Sequence, residues 1–134
     1  MDINPRSTRV IHLPTLSRGI LNIYYQNIRS LRWKTHELLS HFYPNLPHIL
    51  CLTEHHLSSM ELSHVSLENY TIRAQFCRSL YTKGGVVMYI LNNINCTIID
   101  LSKYCKEKDI EIGAVKLNLN ASAVSIITVY NNCI

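Results

Sequence analysis

Two polar residues stand where apolar runs of the sequence end, and their side chains have the chemistry of a metal and phosphate site. Asn27 follows the apolar run 20–26, and Glu54 follows the run 48–53. An amide oxygen and a carboxylate are ligands that a hard divalent cation accepts, and the cation can in turn hold a phosphate. The two residues therefore indicate a site for one such cation and a phosphate.

The two apolar runs are predicted to be strands of one sheet, joined through a helix. Residues 34–43 place apolar side chains at helical spacing, and Pro44 ends this helix. Strands joined through a helix lie parallel, so Asn27 and Glu54 are expected at the same carboxyl edge of the sheet. Open α/β sheets bind their ligands at that edge.

The rest of the chain predicts short strands. Residues 55–69 are predicted to form a loop with a short helical turn. Strands are expected at residues 70–76, 85–91, 96–101, 110–117 and 123–130, separated by turn signals. One strand-helix-strand unit followed by an antiparallel meander indicates an α/β fold with a mixed sheet.

Basic residues are concentrated at the amino terminus. Residues 1–34 contain six Lys/Arg and one acid, whereas the remainder contains seven Lys/Arg and eight acids. Residues 1–19 have no sustained periodicity and are interpreted as a mobile basic leader, with the domain spanning 20–134. The basic quarter, with Arg29, Arg32 and Lys34 beside Asn27, fits a nucleic-acid partner, or equally an ordinary solvated leader.

The five cysteines indicate the compartment. They form an odd set without a Cys-x-x-Cys pair, which favours reduced thiols and a nuclear or cytoplasmic protein that is not secreted. Arginines and a proline interrupt every candidate signal sequence before residue 20. The longest apolar runs fall well short of about 18 residues, so no membrane association is expected.

Four strings resemble the endonuclease/exonuclease/phosphatase superfamily, and within it the apurinic-type endonuclease domain of non-LTR (LINE-like) retrotransposons. They are Tyr-Gln-Asn-Ile-Arg-Ser-Leu at 25–31, Leu-Thr-Glu at 52–54, Lys-Gly-Gly-Val-Val-Met-Tyr-Ile at 83–90 and Val-Tyr at 129–130. Their order and spacing together are more specific than any one of them. The likeness runs from residue 20 onward but covers the amino-terminal half of the family's domain.

The resemblance implies half of a deoxyribonuclease-I-like four-layer sandwich that uses Mg²⁺ to nick DNA. Glu54 would be the main metal ligand, and Asn27 would help to position metal and phosphate. Tyr130 would take the place of a tyrosine that contacts the scissile phosphate or the nucleophile. Arg73 or Arg78 would match arginines that approach DNA in the retrotransposon branch.

The sequence departs from the family in two catalytic motifs. The family's Gly-Asp-x-Asn string, whose aspartate activates the attacking water, is absent, and so is its Ser-Asp-His string. Phosphodiester hydrolysis requires a base, a cation and charge stabilisation in one place. A truncated endonuclease domain that is inactive by itself is therefore expected. Half a sandwich would also leave one apolar sheet face uncovered, which predicts self-association.

Simpler interpretations stay open for each residue. Asn27 could be a turn residue, Glu54 a solvated loop acid and Tyr130 a packing residue. Gly84 and Gly85 are typical of a hairpin turn. Zinc is disfavoured because the histidines near Glu54 do not form a His-Glu-x-x-His string.

Two other functions compete with the endonuclease interpretation. The chain could be a small basic nucleic-acid-binding module without catalysis, using its leader with Arg29, Arg32 and Lys34. It could also be a fragment of a decayed element that has no function.

Overall fold

The computed structural model describes residues 7–12, 19–120 and 122–132. Over these ranges the chain is a mixed α/β fold, built mostly from strands in two sheets. Parallel and antiparallel pairs occur together in the larger sheet, which confirms the predicted class. The elements, in chain order, are the strands β1 (Thr8–His12) and β2 (Ile20–Asn27), helix α1 (Thr35–Phe42), strand β3 (Ile49–Thr53), helix α2 (Ser59–Ser63), and the strands β4 (Tyr70–Phe76), β5 (Val86–Leu91), β6 (Cys96–Ile98), β7 (Ile110–Asn118) and β8 (Ala123–Asn131).

The predicted strand-helix-strand unit is confirmed. β2 and β3 pair in parallel from Ile23 opposite Ile49 to Asn27 opposite Thr53. Helix α1 joins them and buries Leu38 against the sheet. The helix ends at Phe42, and its C-cap residue Tyr43 directly precedes Pro44, as the sequence predicted.

Residues 8–12 depart from the predicted mobile leader, because they form strand β1. β1 pairs antiparallel with β2, from Thr8 opposite Tyr24 to His12 opposite Ile20. The strand has no clear sequence signal because it lies at the edge of the sheet, where Val10 is largely exposed and the apolar pattern is weak. Its backbone hydrogen bonds to β2 define it instead. The other residues of the predicted leader up to 18 lie outside the described ranges, except for residue 7.

The later strands do not continue as one meander. The larger sheet has the order β1-β2-β3-β5-β4, so the hairpin of β4 and β5 places β5 against β3. β6, β7 and β8 form a separate antiparallel sheet. β6 ends at Ile98, earlier than the predicted 101.

Strand β3 is buried on both of its faces and is the centre of two cores. On one face, Leu50 and Leu52 pack with Tyr24, Tyr89 and the residues of helix α1. On the other face the second sheet packs, and its buried side chains meet those of β3 and β5 there. That core consists of Leu21, Ile23, Ile49, Cys51, Ala74, Met88, Ile90, Cys96, Val115 and Leu117. The described chain is thus a helical layer and two sheets.

The outer face of the second sheet carries apolar side chains. Ile112 lies opposite Val129, and Ala114 lies opposite Ile127, in the register of β7 and β8. Side chains alternate between faces along a strand, and Glu111, Gly113 and Val115 point inward. The four apolar side chains therefore share the outer face, where Ile127 is 55% and Val129 42% exposed.

Two further observations concern the cysteines and the lengths of the helices. The described cysteines, Cys51, Cys77, Cys96 and Cys105, are free thiols. Burial raises the pKa of the Cys51 thiol to about 11, which makes it a poor nucleophile. No helix within the described ranges is long and apolar enough to cross a membrane.

His48 connects β2 to β3 at the end of the sheet opposite Asn27. Its backbone N–H donates to Asn22 O at 2.9 Å, and its Nδ1 accepts the Asn22 N–H at 2.9 Å. Burial lowers the pKa of His48 below the ordinary 6.5. The folded chain therefore holds a neutral His48 under conditions in which the unfolded chain would already bind a proton.

We predict that His48 makes its whole contribution to the free energy of unfolding above about pH 6.5. This contribution should be lost as the pH falls below that value and through the lowered pKa of His48 in the folded chain. His48→Gln keeps an acceptor for the Asn22 N–H, and it should make the urea midpoint less dependent on pH between about 7.5 and about 5. His36→Gln is the matched control, since His36 is exposed. Equal pH slopes in the wild type and His48→Gln would contradict the prediction.

Candidate metal and phosphate site

The predicted pair of residues meets at one edge of the larger sheet. Asn27 is the last residue of β2 and lies opposite Thr53, the last residue of β3, so Glu54 follows at the same edge. Beyond the strands, Ile28 N donates to Thr53 O at 2.9 Å, and Ser30 N donates to Glu54 O at 2.8 Å. The pairing of the two segments therefore continues beyond the strand ends, into the loops that follow Asn27 and Thr53.

The loop after β2 is anchored by its apolar residues. Ile28 and Leu31 are buried in the core on the helical face. Lys34 precedes α1, and its Nζ donates to Ile28 O at 3.0 Å and to Arg29 O at 3.1 Å. These contacts fold residues 28–34 back over the edge of the sheet.

Several residues around this edge have a left-handed backbone. Glu54 has a φ of 56° and His56 a φ of 63°, and across the edge Arg29 and Ser30 have φ values of 48° and 88°. Such conformations are uncommon for residues with a Cβ and cost about 1–3 kcal/mol each. They persist where neighbouring contacts hold them, and their clustering is typical of functional sites.

Asn27 carries an unsatisfied polar atom. Its Oδ1 is buried and has no hydrogen-bond partner. Because side chains alternate along β2, Asn27 points to the same face as Leu21 and Ile23, toward the second sheet. Most buried polar atoms in proteins are paired, so this amide oxygen is a candidate acceptor for a ligand.

Glu54 is partly open to solvent and has a histidine beside it. Its side chain is 24% exposed, and its Oε1 lies 3.8 Å from His56 Nε2, an atom that is itself buried without a hydrogen-bond partner. Burial lowers the pKa of His56, and Lys83 and Arg78 act in the same direction, whereas Glu54 raises it. A neutral His56 leaves the Glu54 carboxylate available to a cation.

Tyr130 lies on the inner face of the second sheet, opposite Glu111 in the register of β7 and β8. The Arg78 guanidinium stands over its ring, with Arg78 Cζ 5.8 Å from the ring centroid. Arg78 also pairs with Glu111, whose other oxygen accepts Gly85 N, and Gly85 O accepts Glu54 N, so Tyr130 lies on the side of the second sheet that faces Glu54. Its ring is half-buried, which agrees with a packing role as well as with a contact to a ligand.

The predicted basic residues are in different environments. Arg29 is exposed on the loop after β2, whereas Arg32 pairs with Glu61 of α2. Lys34 is engaged by backbone carbonyls, as described above.

Arg73 and Arg78 both bond to the second sheet, Arg73 from an exposed position and Arg78 from a largely buried one. Arg73 Nη2 donates to Cys96 O at 2.7 Å. Cys96 pairs with Leu117, six residues along β7 from Glu111 or about 20 Å away, so Arg73 is not at the site. Arg78 is near the site, but its side chain is only 8% exposed and forms an ion pair with Glu111.

The structure adds two features that sequence reasoning missed. Glu111 is a fully buried acid near the site, and the Gly84-Gly85 turn bonds to the residues of the edge itself. The sequence predicts a hairpin turn here, and the structure places the two glycines in the loop that joins the paired strands β4 and β5; their bonds to the edge are the feature that was missed. The sequence does not show that Glu111 is buried. Apolar residues precede and follow it in the strand, so either face of the strand could be the inner one.

The donors at this edge suit magnesium in part. Mg²⁺ prefers oxygen ligands, keeps several waters, and is commonly held by one or two carboxylates together with substrate phosphates. Asn27 Oδ1 and the Glu54 carboxylate would be its protein ligands. Within the described ranges, no group of three or more His, Cys, Asp or Glu side chains is arranged to hold a metal. A phosphate and water would have to complete the coordination.

Comparison of the chain with known protein-family models and with curated proteins found no match. The function must therefore be inferred from the residues of the chain and their geometry.

Proposed function

We propose that this chain carries the cation- and phosphate-binding part of a magnesium-dependent phosphodiesterase site. Its relatives would be the endonuclease/exonuclease/phosphatase enzymes, in particular the retrotransposon endonucleases that nick DNA. One observation carries the proposal. Asn27 and Glu54 lie at adjoining ends of two parallel strands, and the amide oxygen of Asn27 is buried without a partner.

The chemistry of the site supports binding without hydrolysis. Glu54 and Asn27 supply oxygen ligands, and Arg29 supplies positive charge on the neighbouring loop. A bound magnesium ion would neutralise phosphate charge and polarise the phosphoryl oxygen. The sequence contains neither the Gly-Asp-x-Asn nor the Ser-Asp-His string, so the base and the charge-stabilising histidine of the family have no counterpart.

We predict that Mn²⁺, used as a paramagnetic substitute for Mg²⁺, binds the chain and that Glu54→Gln weakens its affinity by at least about tenfold. Glu68→Gln is the matched control, because Glu68 is an exposed acid away from the edge. Electron paramagnetic resonance of free Mn²⁺ gives the affinity. If both substitutions have the same effect, Glu54 is not the metal ligand.

The same preparation should not nick supercoiled plasmid in Mg²⁺. Nicking that Glu54→Gln abolishes would overturn the proposal that hydrolysis is absent.

The proposal also implies a nuclear or cytoplasmic location, where thiols stay reduced.

A second candidate, binding of nucleic acid without catalysis, is favoured by one exposed side chain. Trp33 is 91% exposed on the loop that carries Arg29 and Arg32. It borders a groove of about 550 Å³ that Leu31, Leu57 and Val65 also line. An aromatic side chain on a basic loop is the arrangement on which unpaired bases stack.

Trp33 is the single tryptophan of the chain, so its fluorescence reports on this loop alone. We expect single-stranded DNA to quench it in a salt-dependent and magnesium-independent manner. Trp33→Ala should cost about 1–3 kcal/mol of binding free energy. Tyr104→Ala removes another exposed aromatic residue and is the control. Unchanged affinity of Trp33→Ala would exclude this loop as the binding surface.

We also propose that the chain self-associates through the outer face of the second sheet. Ile127 and Val129 expose apolar surface there, beside Ile112 and Ala114. Among the described strands, β8 pairs with β7 alone, so one of its backbone edges is open as well. Exposed apolar strands with an open edge are prone to pair with a second copy.

Ile127→Lys should shift the chain toward monomer in sedimentation velocity, because a charge on the apolar face opposes its burial. Ser40→Lys places the same charge on an exposed residue of helix α1, which packs on the other face of the larger sheet, and is the control. A wild-type chain that sediments as a monomer at every concentration would contradict self-association.

A further inference from the structure

Glu111 is a buried carboxylate that the proposed metal site does not use. Its side chain is fully buried, and that of its partner Arg78 is 8% exposed. Oε2 accepts from Arg78 Nε and from Lys108 N, the latter at 2.9 Å, and Oε1 accepts from Gly85 N at 2.8 Å. A buried charge is costly unless it is paired and hydrogen-bonded, and here both carboxylate oxygens are occupied by donors.

The bond from Gly85 leads directly to the residues of the candidate site. Gly85 O accepts Glu54 N at 2.7 Å, and Gly84 O accepts His56 N at 2.8 Å. The Glu111 carboxylate is thus one residue removed from the backbone of Glu54. Glu54 and His56 both have left-handed φ values, which need such contacts to persist.

The glycine turn is shaped to fit this arrangement. Gly84 and Gly85 have φ values of 98° and 96°, which favour glycine. A Cβ on Gly84 would lie 2.1 Å from Arg78 Cζ, and one on Gly85 would lie 2.3 Å from His55 Nε2. The turn therefore packs directly on the ion pair and on a buried histidine.

Arg78 extends the arrangement to the second sheet. Its guanidinium pairs with Glu111 and also covers the ring of Tyr130. One ion pair therefore contacts the turn that holds Glu54 and the side chain of Tyr130. These contacts come from β7, β8 and the loop between β4 and β5, elements far apart in the sequence.

We propose that Glu111 is a positioning residue: it accepts the Gly85 N–H and, through that turn, sets the backbone of Glu54 and His56, while its partner Arg78 orients Tyr130. Glu111 is not a ligand of the cation. The proposal rests on the proposed function only in that Glu54 is taken as the metal ligand.

Two double variants separate positioning from packing. Glu111→Gln with Arg78→Met removes both charges but keeps a side-chain oxygen for the Gly85 N–H. Glu111→Leu with Arg78→Met removes the charges and that oxygen as well. We expect amide hydrogen exchange at Gly85, Glu54 and His56 to accelerate by about tenfold or more in the leucine variant alone. Exchange in the centre of β3 should be equal in both variants.

Mn²⁺ affinity provides the second measurement. It should fall by about 10- to 100-fold in the leucine variant relative to the glutamine variant, the range found when groups supporting a metal ligand are removed. Equal exchange and equal Mn²⁺ affinity in the two variants would overturn the proposal. If Mn²⁺ does not bind the wild type, the proposed function fails, whereas the exchange rates still decide whether Glu111 positions the edge.

The Glu111→Gln, Arg78→Met variant, compared with the wild type, decides the question if the leucine variant does not fold, because it leaves no buried charge unpaired. Glutamine retains the acceptor for Gly85, so both the protection of the Gly85, Glu54 and His56 amides and the Mn²⁺ affinity should stay within about threefold of the wild type. Loss of Mn²⁺ affinity with unchanged amide protection would identify Glu111 as a metal ligand. Loss of amide protection would show that the carboxylate charge, rather than the acceptor oxygen, holds the turn. Either result would overturn the proposal.

Discussion

The parallel pairing of β2 with β3 is the constraint on which the rest of the structure depends. Its register places Asn27 opposite Thr53 and brings Glu54 to the same edge. A shift of one residue in this register would turn Asn27 toward the helical face. It would also turn the apolar side chains of β2 away from the cores in which they pack. Because β3 is buried on both faces, two cores oppose such a shift.

The edge of the sheet is then held by hydrogen bonds from three directions. Ser30 N reaches Glu54 O from the loop after β2, and Gly85 O receives Glu54 N from the loop before β5. Glu111 of the second sheet in turn receives Gly85 N. The left-handed backbone of Glu54 costs free energy, and these bonds offset the cost. The candidate metal ligand therefore depends on the docking of both sheets.

Binding a phosphate and cleaving its ester bond require different groups at this edge. A carboxylate and an unpaired amide oxygen can hold a hard cation, and the cation can hold a phosphate. Hydrolysis also needs a group to activate water and groups to stabilise the developing charge. His56 Nε2 lies 3.8 Å from Glu54 Oε1, and burial lowers the pKa of His56, whereas Glu54 raises it. We propose that this edge binds a cation and a phosphate without hydrolysis, because the sequence contains neither the Gly-Asp-x-Asn nor the Ser-Asp-His string.

Local patterns in the sequence were enough to predict most of the elements. Apolar alternation and turn residues predicted β4 and β8 to within one residue, and Pro44 marked the end of α1. The positions of Asn27 and Glu54 followed from the strand-helix-strand pattern, since a helical crossover makes the strands parallel. Strand β1 was missed because its edge pairing, rather than its composition, makes it a strand.

Long-range contacts decided the remainder. In β7, alternate residues face opposite sides, yet both sets are largely apolar, so the sequence by itself could not tell that Glu111 points inward. Gly113, where a Cβ would lie 3.2 Å from Val86 Cγ1, lets the two sheets approach closely there. That approach buries Glu111 beside Arg78 and the glycine turn. Local periodicity thus determined which residues form strands and which two polar residues lie at one edge of the sheet, whereas the docking of the sheets decided what holds that edge in place.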